Sequence, residues 1–189
     1  VTNVVTSYEF TTGTPGNYTV TTVNGQLTMT NASAAITITA ASDEWTYDGG
    51  AHQNTTVTVT SGTLFEGDTL VAEATGSVTN VADTATGNNP IAAGYKIMHG
   101  EEDVTSNYAI TTEAGTLTIN PKAVTIKAQD KAFAYTGEAQ SWDKYDVEGL
   151  VGEDAITAVI TGSITFPSES PVTNVVTSYE FTTGTPGNY

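Results

Sequence analysis

The first eighteen residues, VTNVVTSYEFTTGTPGNY from Val1 to Tyr18, return unchanged as Val172 to Tyr189. Chance does not produce an identity of that length. The offset, 172 − 1 = 171 residues, is therefore a period of the sequence. A chain with such a period is built from units that contact their neighbours in order, which narrows the fold to repeat architectures before any single residue is considered.

A second, weaker repeat lies inside the first. ITITAASDEWTYDGGAH (Ile36 to His52) aligns without a gap on VTIKAQDKAFAYTGEAQ (Val124 to Gln140), matching Ile38 with Ile126, Trp45 with Phe133, Tyr47 with Tyr135 and Gly49 with Gly137. LVAEATGSVT (Leu70 to Thr79) answers ITAVITGSIT (Ile156 to Thr165), which sets Gly76 on Gly162. NYAITTEAGTLTIN (Asn107 to Asn120) answers NYTVTTVNGQLTMT (Asn17 to Thr30). Two module types follow. Residues 31–120 are a complete type A module of 120 − 30 = 90 residues, which leaves 171 − 90 = 81 for type B. Residues 1–30 are the C-terminal part of a type B module, and 121–189 are a type B module lacking its last hairpin. The chain reads as a window, slightly longer than one period, on an A-B-A-B array.

Alternating apolar and Thr positions make the secondary structure β. AITITA puts Ile36 and Ile38 on one face, and Thr56–Thr60, GSVTNV, Gly94–Met98, YAITT and GTLTI are expected to behave alike. EAG between YAITT and GTLTI, and VNG in type B, are expected to supply the positive-φ position of a tight hairpin. GEDAITAVI (Gly152 to Ile160) is the one place for a short helical turn. Tyr47 and Tyr135, each two residues after an aromatic, are expected in the core, followed by a turn in which the Asp48 carboxylate accepts a backbone N–H. Pro121 marks the A-to-B joint. With no Gly/Ser linker there, adjacent modules are expected to touch.

Composition removes several function classes. There are 21 acidic residues against 5 basic, net −16, and no Arg. Such a surface repels phosphate backbones and anionic bilayers, which argues against nucleic acid and membrane partners. No apolar run approaches the ~18 residues of a membrane span, so no membrane insertion is expected in this fragment. The chain starts mid-pattern without a signal peptide, and any targeting or anchoring segment is expected outside it. With no Cys, disulfides, thiolate metal sites and Cys nucleophiles drop out.

Catalytic residues are scarce. His52 and His99 alone could act as bases near neutral pH, and type B carries Gln140 at the His52 position. No catalytic residue and no enzyme activity is expected. No cofactor is expected either, calcium excepted, which takes six to eight oxygens. Its candidate ligands are Asp43, Glu44, Asp48, Asp68, Asp83, Glu101, Glu102 and Asp103, although the spacing of a dedicated calcium loop is missing. A solvated acidic rim is the competing reading. Among aromatics, Trp45 aligns with Phe133 and reads as core, whereas Trp142, beside Asp143 and Lys144, is the freer ring for a ligand.

The motifs WTYDGGAH, EGDTL, ATGSVTNVADTATGNN and DVTSNYAITTEAGTLTI, with AYTGEAQ and GEDAI in type B, resemble the MBG/YDG-type β-rich tandem repeats of bacterial, mostly Gram-positive, cell-surface adhesins. Type B departs from that pattern where Thr136 replaces Asp48 and FPSES replaces the Asn-rich segment. The resemblance implies a mainly β fold: tandem β-sandwich modules stacked end to end, with at most a short helical turn each. It also implies an extracellular, cell-surface location and a stalk or fibre role in adhesion or spacing. The implied partners are neighbouring repeats or copies of the chain head to tail. The alternative is an adhesin module that binds a host or matrix glycoprotein.

Overall fold

The computed structural model describes residues Val1–Tyr189. The protein is mainly β, in several small sheets. Its strands are β1 (Thr2–Asn3), β2 (Gly25–Gln26), β3 (Ala34–Ala40), β4 (Asp43–Thr46), β5 (Val57–Ser61), β6 (Asp68–Val71), β7 (Lys96–His99), β8 (Glu102–Asp103), β9 (Tyr108–Glu113), β10 (Leu117–Asn120), β11 (Thr125–Ala128), β12 (Tyr145–Glu148), β13 (Ala155–Thr161) and β14 (Val175–Thr183). No helix is long and apolar enough to cross a membrane.

Between residues 31 and 120 the strands form sheets β5-β3-β9 and β6-β7-β8 and the pair β10-β4. The alternation in AITITA does what it predicts. Ile36 and Ile38 of β3 are buried with Ile97 of β7 and Tyr108 of β9, joining the two three-stranded sheets through one core. A second core holds Tyr47, Val78, Leu117 and Ile119.

The last two strands depart from the sequence expectation. β9 and β10 do not form a hairpin. β9 runs parallel to β3, with Ile36 opposite Ile110, and β10 runs parallel to β4, with Leu117 opposite Asp43. The two chains pass from one sheet to the next side by side, so the EAG segment is a crossing point and not a reversal. Gly115 accordingly has no positive φ. It is needed because a Cβ there would stand 2.1 Å from the Ala41 carbonyl oxygen. Close backbone approach, a second use of glycine, explains the residue.

Two other local expectations change. GSVTNV contributes only a bridge, Val78 to His52, because its neighbours bend into the 3₁₀ turn Val81–Asp83. GEDAITAVI is not helical, since residues 155–161 pair along β14. The helical turns are instead short 3₁₀ segments, with Thr105–Asn107 joining Val81–Asp83 in the first module and Pro167–Glu169 and Pro186–Asn188 in the second.

Residues 121–189 repeat this plan as far as they go. β11 pairs with β12 antiparallel, setting Ile126 opposite Val147 as β3 sets Ile38 opposite Val59. β13 pairs with β14 as β6 pairs with β7. Residues 121–189 include no counterpart of β9 and β10, and Tyr135 differs from Tyr47 accordingly. Expected in the core, it is 60% exposed, whereas its counterpart Tyr47 is 9% exposed. Tyr47 packs on Leu117 and Ile119 of β10, and no equivalent strand lies beside Tyr135.

The eighteen-residue duplicate takes two forms. Val175–Thr183 is a nine-residue strand on β13, yet the same letters at Val4–Thr12 form no strand. Residues 1–30 are exposed throughout, and their only strands are the short pair β1-β2. Gly115→Val should therefore destabilise the protein by about 3 kcal/mol or more through a backbone clash that cannot relax, and Leu117→Ala by about 2–5 kcal/mol. Met29→Ala, at a side chain 98% exposed, should move the urea midpoint by less than about 0.5 kcal/mol equivalent.

Candidate functional site

Each module is closed by a tyrosine clasp. The Tyr108 hydroxyl donates to Asp68 Oδ2 at 2.5 Å and accepts from the Phe65 N–H at 2.8 Å. Asp68 Oδ1 also meets His99 Nδ1 at 2.6 Å. The Tyr108 hydrogen bond, followed by that of His99, holds the Asp68 carboxyl below its ordinary 3.8, while burial and then Asp68 push the Tyr108 phenol up. The second module repeats the device: the Tyr189 hydroxyl donates to Asp154 and accepts from the Val151 N–H at 3.0 Å. Burial, then Asp154, push this phenol up to about 12.

A buried asparagine pins the strands at the crossing point. Asn89 is 0% exposed; its Nδ2 donates to the carbonyls of Ala41 (2.9 Å) and Asn54 (2.8 Å), and its Oδ1 accepts from Gly76 N–H at 2.8 Å. Its own backbone bridges to Gly115 of the returning chain. Asn174 makes the same donations in the second module, to Gln129 at 3.3 Å and Trp142 at 2.8 Å. Its Oδ1 is buried without a partner. A Cβ at Gly76 or Gly162 would collide with the asparagine Oδ1, at 2.6 and 2.8 Å respectively, which accounts for glycine at both positions.

Two grooves open in the second module where β9 and β10 lie in the first. One, of about 1030 Å³, runs along Lys122, Val124 and Ile126 between β11, Phe181 and Tyr189. The other, of about 630 Å³, is lined by Gln129, Lys131, Phe133, Trp142, Ile164 and Asn174. The first follows residues 122–126 and the second residues 129–133, two successive stretches that together are termed the trough.

The trough begins where the two modules meet. Asn188, 1% exposed, accepts from Val81 N–H at 3.0 Å and donates to Asn80 Oδ1 at 2.8 Å, while its carbonyl accepts from Lys122 N–H at 2.9 Å. Val151 and Tyr189 complete the second core of residues 31–120, the Tyr189 ring meeting Tyr47 edge-on at 5.4 Å.

The carboxylates singled out for calcium do not converge, and no three acidic or His side chains form a metal-holding group. Most serve local bonds. Asp43 Oδ2 accepts from Asn54 Nδ2 (3.1 Å), Asp83 Oδ2 from the Thr79 and Asn80 N–H groups (2.9 and 2.7 Å), and Asp103 Oδ1 from the Thr105 hydroxyl (2.6 Å), with Lys96 at 3.2 Å. Asp68 belongs to the clasp, and Glu44, Glu101 and Glu102 are exposed. Asp48 accepts from Gly50 N–H at 2.8 Å in the expected turn, and its pKa is lowered first by that bond and then by His52. His52 stacks on the half-buried Trp45, centroids 4.8 Å apart. Trp142 is half-buried too. Its Nε1 donates to Gln129 Oε1 at 3.3 Å and Lys131 sits 4.8 Å from its ring centroid.

Sequence reasoning missed the clasps, Asn89, Asn174 and Asn188. The signal was present in the recurring Asn-Tyr pairs and in the Asp shared by EGDTL and GEDAI, but these residues meet only across long sequence separations. Comparison with protein-family models, curated proteins and solved structures found no match.

The clasps predict opposite pH limits. Asp68, held below 3.8, contributes stability above that pH and loses it as pH falls through its folded value; Asp68→Asn should weaken the protein at neutral pH and flatten its acid limb. Tyr189, raised from 10.0 to about 12, contributes fully below 10.0 and loses its share as pH rises toward 12. Tyr189→Phe should thus flatten the alkaline limb, read from urea midpoints against pH.

Proposed function

We propose that the chain is a segment of an extracellular stalk or fibre in a large repetitive bacterial surface protein, of the MBG/YDG-repeat kind, with a role in spacing or adhesion. The observation that carries this reading is the shared core at the joint. Val151 and Tyr189 of the second module fill the apolar end of the first, and Asn188 bonds to Asn80, Val81 and Lys122 around it. A joint held by side chains from both partners resists bending, so successive β-sandwich modules stack end to end as a stiff rod. The net charge of −16 keeps neighbouring rods apart.

The same residues explain why two module types alternate. The second module supplies Asn188 and Val151 to the first, so the type A end and the type B face are made for each other. Recognition of a glycan or matrix protein would need a flat, free aromatic surface. Trp142 is instead tied to Gln129, beside Lys131, in a groove that matches a strand position of the other module.

Electron microscopy of a polypeptide carrying several consecutive periods should show straight rods that lengthen by a constant increment per period. A collapsed or freely jointed outline would overturn the reading. Asn188→Ala should loosen the joint: it strips partners from Val81 N–H and Asn80 at a cost of about 2–3 kcal/mol and should broaden the distribution of bend angles.

A further inference from the structure

The joint between residues 31–120 and 121–189 is built from positions at which the two module types differ. We infer that it is a recognition element fixing module order: the type A end takes a type B module and not a second type A module, and no type B end can form the same joint. The inference rests on the stacked-array reading above and adds to it the residues that select the neighbour.

The incoming face is a short loop present in both module types. In the second module it starts at Gly149, at positive φ (100°), where a Cβ would stand 2.3 Å from the Ala123 carbonyl oxygen, and ends at Asp154 of the clasp. In the first it starts at Gly62, also at positive φ (77°), where a Cβ would stand 2.3 Å from the Ala35 carbonyl oxygen, and ends at Asp68. The Val151 N–H donates to one clasp tyrosine and the Phe65 N–H to the other. Phe65 therefore holds in type A the place that Val151 holds in type B. Matching Ala35 with Ala123 likewise sets Ala34 on Lys122. Asn107-Tyr108 and Asn188-Tyr189 are the same in both types, so that pair holds the joint without choosing the neighbour.

Val151 lies on the Tyr47-Asp48-Gly49 turn. Its Cγ1 stands 3.0 Å from the point that a Cβ on Gly49 would occupy, so the bare glycine is the hollow that the valine fills. Contact is already tight, and a phenyl ring in the same place would push the loop off the turn. Lys122 adds complementary charge. The Asp48 carboxyl is held below its ordinary 3.8 first by the Gly50 N–H, then by His52, with a smaller share from the charge of Lys122. A type A module in this position would bring Phe65 against Gly49 and Ala34 in place of the lysine.

The receiving side is equally particular. Asn188, 1% exposed, accepts from Val81 N–H at 3.0 Å and donates to Asn80 Oδ1 at 2.8 Å. The type B end carries a turn of the same construction. Glu169 Oε2 accepts there from the Thr165 and Phe166 N–H groups (2.8 and 2.9 Å), as Asp83 Oδ2 accepts from those of Thr79 and Asn80. Phe166 thus stands for Asn80, and Pro167 for Val81. Proline has no N–H and phenylalanine no amide, so an asparagine brought to that turn would be buried without either partner. A type B end must take its neighbour by other contacts, and this joint recurs once in each 171-residue period.

The contacts can be broken with residues that the other module type already carries at the same places. Spin labels on Thr58→Cys and Thr157→Cys, two exposed strand positions in a chain without cysteine, report how the modules sit on each other. The otherwise unaltered chain should give a single narrow distance distribution. Val151→Phe and Val81→Pro should each lose it, whereas Phe65→Val, away from this joint, should keep it. In Val151→Phe, hydrogen exchange at the Val81 N–H, whose partner is Asn188, should quicken about tenfold or more. Exchange along the β3-β5 ladder should stay unchanged, as it does when the module itself remains folded. Order selection is overturned if either Val151→Phe or Val81→Pro keeps the narrow distribution, or if Phe65→Val loses it. A broad distribution in the otherwise unaltered chain would sink the stiff-array reading and this inference with it; a narrow one that survives both variants would sink order selection alone.

Discussion

The parallel pairing of the last strands of a module with its first is the constraint on which the rest depends. β3 and β4 begin the complete module, and β9 and β10 return some seventy residues later to lie beside them in the same direction. Parallel pairing needs a long connection, here supplied by β5 to β8, so the module closes only when its final residues arrive. That arrival buries Leu117 and Ile119, bridges Asn89 to Gly115 and brings Tyr108 to Asp68. In residues 121–189, β11 pairs on one side, with β12, and takes a single further backbone bond, from Lys122 N–H to the Asn188 carbonyl.

A fold closed by its last strands is suited to linear repetition. A sheet edge with unpaired N–H and C=O groups attracts a strand that fits, and in residues 31–120 the edges of β3 and β4 are taken by β9 and β10. The return strands β9 and β10 are Thr-rich, with Glu113 their one charged residue. The tyrosine clasp then couples closure to the joint, because Tyr189 bonds to Asp154 in its own module and packs on Tyr47 of the preceding one. Packing within a unit and contact between units share one residue.

Much of the module was legible in the sequence. The internal alignment placed Ile38 with Ile126 and Gly76 with Gly162, and the structure gives the two isoleucines matching antiparallel partners, Val59 and Val147, and sets both glycines against an asparagine Oδ1. Alternation identified β3, β5, β7, β9 and β10 because one-sided burial imprints a period of two. The same alternation carries no information on strand direction, and so β9 and β10 read as a hairpin although each pairs with a strand far away. Burial of Tyr47 and exposure of Tyr135 could not be separated either. Their local sequences agree, and the difference lies in whether Leu117 and Ile119 have a counterpart beside them.

The duplicated eighteen residues divide the two kinds of information. Both copies make the 3₁₀ turn after the proline, Pro15–Asn17 and Pro186–Asn188, both hold the preceding glycine at positive φ (91 and 89°), and both stack Phe on Tyr with centroids 5.5 and 5.3 Å apart. Those features come from fixed proline torsions, glycine freedom and neighbouring rings, so sequence alone determines them. The strand does not follow. Val175–Thr183 is extended along β13, and the identical Val4–Thr12 is not, because a strand's hydrogen bonds are made to another segment and exist only where that segment is present.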